Sequence, residues 1–254
     1  MNFFGLLGFS IQFMTALPIK KSFQVSEKSY ASIVCFFPVT SLIVGGISAA
    51  CFFVLSYLGF PLIAALGCVL AECLVTGGLH MDGAADLCDA FGAKKSKERT
   101  LEILKDSRMG TFGVLALVFM VLGKILLIFS LNTVLGINTW IIVLLAPVAG
   151  KIPMAICARI GTYPREYGTG KHLIDRIQTW QALLCCAACA IVLFLGVGFA
   201  AIAIHLPLQV LCGYILFKVS TAKIEGVTGD ILGACNEFGA LLFLLTSLMI
   251  GRFL

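Results

Sequence analysis

Long apolar runs are the feature that most limits the folds open to this chain. Several runs reach about 20 residues, the length that a helix needs to cross a hydrocarbon core about 30 Å thick. Their apolar residues are nearly continuous, whereas the strands of a membrane barrel would alternate with period two. The runs are 3–17, 29–58, 60–79, 111–131, 139–158, 181–204, 208–217 and 238–251. We therefore predict an all-α, polytopic membrane bundle of six to eight spanning or re-entrant helices, with residues 1–254 forming a single domain.

Composition supports the membrane interpretation. Charged residues make up only 12% of the chain and hydrophobic residues 60%, while an ordinary soluble domain has about 25% charged residues. The 11 cysteines are scattered through the apolar runs, where thiols act as small hydrophobic side chains. We therefore interpret Cys186 and Cys189 as packing residues in spite of their redox-like spacing. The histidines share no metal-ligand spacing.

The segments between the apolar runs alternate between basic and nearly uncharged. The basic segments are 20–28, 80–108, 159–176 and 218–230, and those without lysine or arginine are 57–60, 132–138 and 205–207. Under the positive-inside rule, this alternation predicts a cytoplasmic (inner) membrane protein with all four basic segments in the cytoplasm. The long basic segments also hold nearly all the acidic residues, so we expect the chemistry at the cytoplasmic face. The net charge of +5 then reports topology rather than nucleic-acid binding.

Segment 76–92 carries three carboxylates that a helix would align. Asp82, Asp86 and Asp89 are spaced i, i+4 and i+7, so they share one stripe of a helix whose other side is apolar. Like charges at this spacing repel, and a bound divalent cation would turn the repulsion into binding. Ligation by oxygen alone favours Mg²⁺, with Mn²⁺ also possible. We predict that these three residues are catalytic and hold the metal; the alternative is a solvated helix face.

Further acidic positions extend this hypothesis. Glu72 lies about three turns before Asp82 inside an apolar run, where a carboxylate is costly and usually functional. We take it as another metal ligand, the alternative being a snorkelling or protonated structural residue. Asp230 and Glu237 form a second i, i+7 pair in a glycine-containing segment on the same membrane face. We assign Asp230 to substrate binding.

Basic residues at three places have the chemistry of phosphate binding. Segment 105–113 places Lys105, Ser107 and Arg108 beside glycine backbone at a helix start, which suits an anion. The alternative there is an ordinary positive-inside anchor. Lys151 lies too deep in an apolar run for anchoring unless it faces a polar cavity, and Arg165 lies in the loop that follows. Carboxylates that hold Mg²⁺, with cations on phosphate oxygens, are what phosphoryl transfer from a nucleoside diphosphate ester needs.

These segments, in this order and in a chain of this length, resemble the cobalamin synthase family, the adenosylcobinamide-GDP ribazoletransferases. The matching stretches are 76–86, 105–113 and 228–234, with looser matches at 17–18 and 163–170. The resemblance implies a Mg²⁺-dependent transfer in the last steps of adenosylcobalamin assembly. A ribose hydroxyl of α-ribazole, or of its 5′-phosphate, would attack the phosphoryl group attached to cobinamide, and GMP would leave. The resemblance also implies that the three aspartates hold metal while Lys105, Arg108 and Arg165 meet phosphates.

Two alternatives stay open from the sequence. A CDP-alcohol phosphotransferase runs the same chemistry on lipid, but its Asp-Gly-x-x-Ala-Arg core is not matched, because Asp82 and Gly83 are followed by Ala-Ala-Asp. A cation-coupled transporter could use intramembrane acids as ion sites, although it needs no glycine and arginine groups for phosphate. The expected partners are adenosylcobinamide-GDP, α-ribazole or its 5′-phosphate, and membrane lipid, with no nucleic acid. The oligomeric state stays open.

Overall fold

The structure is a computed structural model that describes residues 3–21, 23, 25–92, 96–106, 108–168 and 170–251. Every regular element within these ranges is helical, as predicted. The helices are α1 (Phe3–Met14), α2 (Glu27–Tyr30), α3 (Phe37–Tyr57), α4 (Pro61–Thr76), α5 (Leu79–Gly92), α6 (Lys97–Ile103), α7 (Thr111–Leu135), α8 (Thr139–Ala149), α9 (Lys151–Ile160), α10 (Lys171–Ile174), α11 (Thr179–Ile224) and α12 (Gly229–Gly251). Short 3-10 turns at Ala31–Phe36 and Gly136–Asn138 precede α3 and α8.

Four helical segments of the described chain are long and apolar enough to cross a membrane. They are Ala31–Tyr57, Thr111–Ile160, Thr179–Ile224 and Gly229–Gly251, with a fifth if the bent pair α4–α5 counts as one span. This number is below the predicted six to eight. The difference arises because two of the segments, 50 and 46 residues long, each contain two of the apolar runs that the sequence separates. Helix α1, at 12 residues, is shorter than a crossing needs.

Both long segments fold back on themselves. Lys124 in α7 contacts Glu237, and Gly150 after α8 lies against the backbone of Asn236, so the two arms of the first segment meet α12 at the same level. The reversal lies at Gly136, whose φ is +58°. In the second segment, the two halves of α11 both contact α9, through Cys186 against Ile152 and through Gly213 against Pro153.

The turn within α11 is not where the sequence places it. Segment 205–207 was predicted to be a loop, yet the helix continues through Pro207 and buries His205. The chain instead reverses at Gly198, whose φ of 78° and ψ of 177° are non-helical. This backbone conformation is open to glycine and costly for residues with a Cβ. A glycine in an apolar run gives no other sign that it is a turn.

The basic segments gather at one end of the bundle. The backbone N–H of Val227 donates to the Thr162 carbonyl at 2.8 Å, and Arg165 donates to the Leu101 carbonyl at 2.8 Å. Arg176 pairs with Glu27 at 2.8 Å, which brings in the first basic segment. The described parts of segments 20–28, 80–108, 159–176 and 218–230 therefore share one face.

The opposite end carries the nearly uncharged turns. There Ser56, at the end of α3, donates to Asn132 near the end of α7 at 3.1 Å. The alternation of the charges along the sequence thus corresponds to the two ends of the bundle.

Helix α5 carries the three aspartates and departs from the direction of α4. The two helices are bent by 91°, and the break falls at Gly77 and Gly78, whose φ values are +62° and +73°. Gly77 ends α4 in the left-handed conformation that glycine commonly supplies at a helix C-terminus. Helix α5 then packs across α12 and α7, outside the four spanning segments.

Candidate active site at the crossing of α5 and α12

Helices α5 and α12 cross so closely that the charge of Asp230 acts on the aspartates of α5. A Cβ at Gly83 would lie 2.9 Å from the Cα of Asp230, and a Cβ at Gly233 would lie 3.1 Å from the carbonyl oxygen of His80. The apolar side of α5 is buried: Met81, Ala84, Ala85 and Leu87 are each at most 7% exposed. This packing turns the aspartate stripe outward, with Asp82 exposed and Asp86 partly buried.

The negative charges of Asp82, Asp89 and Asp230 act on the carboxyl group of Asp86. Burial, followed by the charges of Asp82, Asp230 and Asp89, raises the pKa of Asp86 from 3.8 to about 7. A carboxyl in such a position gains from binding either a proton or a cation. The sequence predicts the repulsion along α5, and the structure adds Asp230 from α12 to it.

Asp82 lies where two cavities meet. One cavity, of about 230 Å³, is lined by Asp82 and Asp230 together with His80 from α5 and Leu173 from α10. The other, of about 700 Å³, is lined by Asp82, by the end of α4, and by apolar residues of α1 and α7. The larger volume is in the range of sites for small-molecule ligands. A ligand in either cavity could therefore contact the carboxylate of Asp82.

Asp89 has a different environment from its two neighbours. Its carboxylate accepts the backbone N–H of Gly110 at 2.6 Å and that of Gly113 at 2.8 Å. These are the first N–H groups of α7, which begins at Thr111, and an acidic side chain is favourable there. The predicted anion site at this helix start is therefore already filled by a residue of the protein. The metal-ligand role predicted for Asp89 stays a prediction.

The phosphate-binding residues predicted in the same segment lie at the surface. The guanidinium of Arg108 is 87% exposed and pairs with Asp106 at 2.7 Å. Hydrogen bonds from the Arg108 side chain and backbone lower the pKa of Asp106 to about 2. Lys105 is also exposed, while Ser107 lies outside the residues that the structure describes.

Arg165 lies closer to the carboxylates. Its loop runs along the start of α12, where Gly170 packs against Gly229 and Thr162 accepts a hydrogen bond from Val227. One guanidinium nitrogen donates to the Leu101 carbonyl, whereas Nε is buried without a partner among the described residues. The charge of Arg165 acts on Asp230, so its guanidinium lies near the acidic cluster.

Glu72 is not part of the aspartate group. Its carboxylate pairs with Lys124 at 3.0 Å, and Lys124 also pairs with Glu237 at 2.7 Å, deep among α4, α7 and α12. Lys124 is 1% exposed, and sequence reasoning gave it no role, although a lone lysine in an apolar run is itself a signal. The second acidic stripe is likewise divided, because Asp230 joins the site while Glu237 joins this buried ion-pair group.

Lys151 is also buried, and its ammonium points at a histidine. It is 3% exposed, and its Nζ lies 3.0 Å from Nε2 of His80. The Phe37 ring lies 5.8 Å away. The sequence predicts that Lys151 binds phosphate, and it assigns no role to His80.

A metal would need ligands from outside the protein. Within the described part of the chain, no group of three or more His, Cys, Asp or Glu side chains is arranged to hold a metal ion. All 11 cysteines there are free thiols. A cation held by one or two carboxylates, with water and substrate oxygens completing the shell, is the usual arrangement for Mg²⁺.

Comparison with known proteins decides the family. A family model described as cobalamin-5-phosphate synthase matches residues 6–248. The chain belongs to the cobalamin-5-phosphate synthase family. Curated relatives named adenosylcobinamide-GDP ribazoletransferase include one from Clostridium botulinum strain Okra, 34% identical over 240 residues, or 94% of this chain and 96% of the relative. Another, from Clostridium novyi strain NT, is 36% identical over 244 residues, or 94% of each chain.

The match extends over nearly the whole chain. The relative from Clostridium acetobutylicum strain ATCC 824 is 34% identical over 247 residues, or 97% of this chain and 96% of the relative. No solved structure matches the chain. Membership of the cobalamin-5-phosphate synthase family confirms the resemblance seen in the sequence, and it favours neither the lipid phosphotransferase nor the transporter.

Proposed function

We propose that this chain is an adenosylcobinamide-GDP ribazoletransferase. It transfers the cobinamide-phosphoryl group of adenosylcobinamide-GDP to α-ribazole, or to its 5′-phosphate, in the final steps of cobalamin biosynthesis. The observation that carries the proposal is the full-length similarity to relatives of that name. The site agrees with it, because Asp82 faces two cavities that can receive two substrates.

The reaction exchanges a phosphoanhydride bond for a phosphoester bond. The acceptor hydroxyl oxygen forms a bond to the phosphorus attached to cobinamide, the bond from that phosphorus to the GMP oxygen breaks, and the hydroxyl proton is lost to solvent or to a nearby base. The activation free energy of the transfer comes from bringing two anionic groups together and from the charge that must be stabilised on the phosphoryl oxygens. The chain must therefore align the two substrates and balance that charge.

The donor set suits a divalent cation. Asp82, Asp86 and Asp230 present only oxygen ligands, and the raised pKa of Asp86 reflects negative charge that a cation would balance. In the proposed enzyme one or two of these carboxylates would hold Mg²⁺, or Mn²⁺, together with water and substrate phosphates. A bound cation would supply electrostatic stabilisation of the phosphoryl oxygens. Glu72 is not included, because its carboxylate is paired with Lys124.

Arg165 has the best placement to bind phosphate. Its charge acts on Asp230, and the bond to the Leu101 carbonyl would hold the side chain in place while the guanidinium binds a phosphoryl oxygen. Lys105, Ser107 and Arg108 remain candidates for the outer part of the diphosphate. The walls of α5, α10 and α12 would exclude water from the transferred group.

The orientation of the site is part of the proposal. The basic loops share the end of the bundle that holds the acidic cluster, so the positive-inside rule puts the site on the cytoplasmic face of the cytoplasmic membrane. Cysteine labelling tests this orientation in a cysteine-free background. A reporter at exposed Tyr167 should react only from the cytoplasmic side, and one at exposed Asn138 only from the other side.

Release of GMP tests the function directly. Purified full-length protein should release GMP from adenosylcobinamide-GDP only when α-ribazole or its phosphate is present, and chelation of Mg²⁺ should stop the release. A Glu102→Gln variant serves as a control, because Glu102 is exposed and its ion pair among the described residues is with Arg99. Release of GMP without an acceptor, or transfer to lipid alcohols alone, would contradict the proposal.

A further inference from the structure

His80 lies on the wall of the 230 Å³ cavity with Asp82 and Asp230. It is 5% exposed, so its ring is held in place by the surrounding protein. Within the part of the chain that the structure describes, the hydrogen bond of this ring is to Lys151, 3.0 Å from Nε2. The other ring nitrogen, Nδ1, is then the one available to a ligand.

Lys151 determines which ring nitrogen carries the proton. An ammonium group has three donors and no acceptor, so when Lys151 is charged Nε2 of His80 accepts from it and the ring proton lies on Nδ1. Lys151 itself is fixed, because it is 3% exposed and begins α9 beside the Phe37 ring. The hydrogen bond from Lys151 therefore fixes the tautomer of His80 and the orientation of its ring. A carboxylate or carbonyl that bonds one nitrogen of a catalytic histidine has the same effect.

We propose that His80 contacts the substrate, donating from Nδ1 to a phosphoryl oxygen in the cavity lined by Asp82 and Asp230, and that Lys151 is its positioning residue. This inference rests on the proposed function and replaces the prediction that Lys151 itself binds phosphate. A hydrogen-bond donor suits this position, because phosphate oxygens that approach a wall with two carboxylates need a partner that offsets the repulsion. The donor and a cation between the carboxylates would together receive an anionic group.

Kinetic coupling between the two residues tests the proposal. Lys151→Met should lower kcat at least about tenfold while the KM for adenosylcobinamide-GDP changes less than about threefold. His80→Ala should have a similar effect, and the double variant should be no worse than His80→Ala alone, since Lys151 acts only through the ring. Lys97→Met is the matched control, because Lys97 pairs with Glu225 away from the cavity. Its effect, if any, should add to that of His80→Ala.

A direct phosphate contact by Lys151 would give a different pattern. The KM for adenosylcobinamide-GDP would then rise in Lys151→Met, and this loss would persist in the His80→Ala background. That result would overturn the proposal. The pair His80→Asn and His80→Gln gives a test that leaves Lys151 intact. The amide nitrogen of asparagine reaches the position of Nδ1, so His80→Asn should keep at least about fivefold more activity than His80→Gln, and the reverse order would overturn the substrate contact.

A spectroscopic measurement separates this inference from the assigned reaction. The chain has 3 histidines, so ¹⁵N NMR of histidine-labelled, full-length protein in nanodiscs gives three ring systems, and His80→Asn identifies the signal of interest. The parent should show a proton on Nδ1, and Lys151→Met should lose or redistribute it. A proton on Nε2 in the parent would overturn the inference even if the enzyme releases GMP. An Nδ1 proton in a protein without GMP release would instead overturn the function alone.

Discussion

Two groups of carboxylates in this protein share a residue type and differ in their partners. Deep among α4, α7 and α12, Glu72 and Glu237 both contact the ammonium of Lys124, at 3.0 and 2.7 Å. At the end of the bundle, Asp82, Asp86 and Asp230 come together, and the charges of the others add to burial in raising the pKa of Asp86. The deep group carries its own cation, whereas among the described residues Asp82, Asp86 and Asp230 form no close ion pair, and the positive charge that acts on Asp230 from outside the group is that of Arg165. A set of carboxylates without an internal counter-ion indicates a binding site more strongly than burial does.

Replacing Asp82 should give the largest effect, and it should be confined to activity. Asp82→Asn removes a carboxylate that faces both cavities, so we expect GMP release to fall by about a thousandfold or more, equivalent to about 4 kcal/mol. Because the change also removes like-charge repulsion, thermal unfolding should occur at the same temperature or higher. Activity within about threefold of the parent, with unchanged dependence on Mg²⁺, would remove Asp82 from the metal site.

Replacing Lys124 should have the opposite effect, because it should lower stability rather than act directly on activity. Lys124→Met leaves two buried carboxylates without their counter-ion, and breaking a buried pair costs about 3–5 kcal/mol. We expect a large fall in the temperature of thermal unfolding in detergent, with partial recovery when Glu72→Gln and Glu237→Gln are added. Lys105→Met, at an exposed position, is the control for loss of a charge. Unchanged stability together with lost activity in Lys124→Met would place this group in the chemistry instead.

Arg108 tests whether the exposed basic segment belongs to the outer group. As a membrane anchor it could be replaced by lysine, but as a phosphate ligand its planar fork donates paired hydrogen bonds that an ammonium cannot reproduce. We expect Arg108→Lys to keep expression and orientation and to lower kcat/KM at least about tenfold. Near-parental kinetics, combined with misorientation of Arg108→Ala, would show an anchor and would leave phosphate binding to Arg165.

Replacing Asp89 should give the smallest effect, and the result should distinguish a helix-capping role from a metal-ligand role. If it acts as the N-terminal cap of α7, Asp89→Ala should lower stability by about 1 kcal/mol and leave the Mg²⁺ concentration for half-maximal activity unchanged. If it is a metal ligand as well, that concentration should rise severalfold. A titration of activity with Mg²⁺, read beside thermal unfolding, separates the two roles.

The sequence by itself determined the helical class, the membrane location of the chain and the gathering of the basic loops. These follow from run length and from charge placement, which depend on local hydrophobicity and do not require knowledge of packing. It also determined the stripe on α5, because the spacing of Asp82, Asp86 and Asp89 becomes a shared face in any helix. The family resemblance came from the same motifs.

Only the tertiary structure decided the partners of the charged side chains. The spacing along α5 treats Asp82 and Asp89 alike, yet one faces two cavities while the other caps α7. Glu72 and Lys124 are far apart in the chain and meet because α4 packs against α7. Electrostatic roles depend on distances of a few ångströms between different helices. Those distances are set by close helix crossings, such as Gly83 on Asp230, which the pattern within a single helix does not contain.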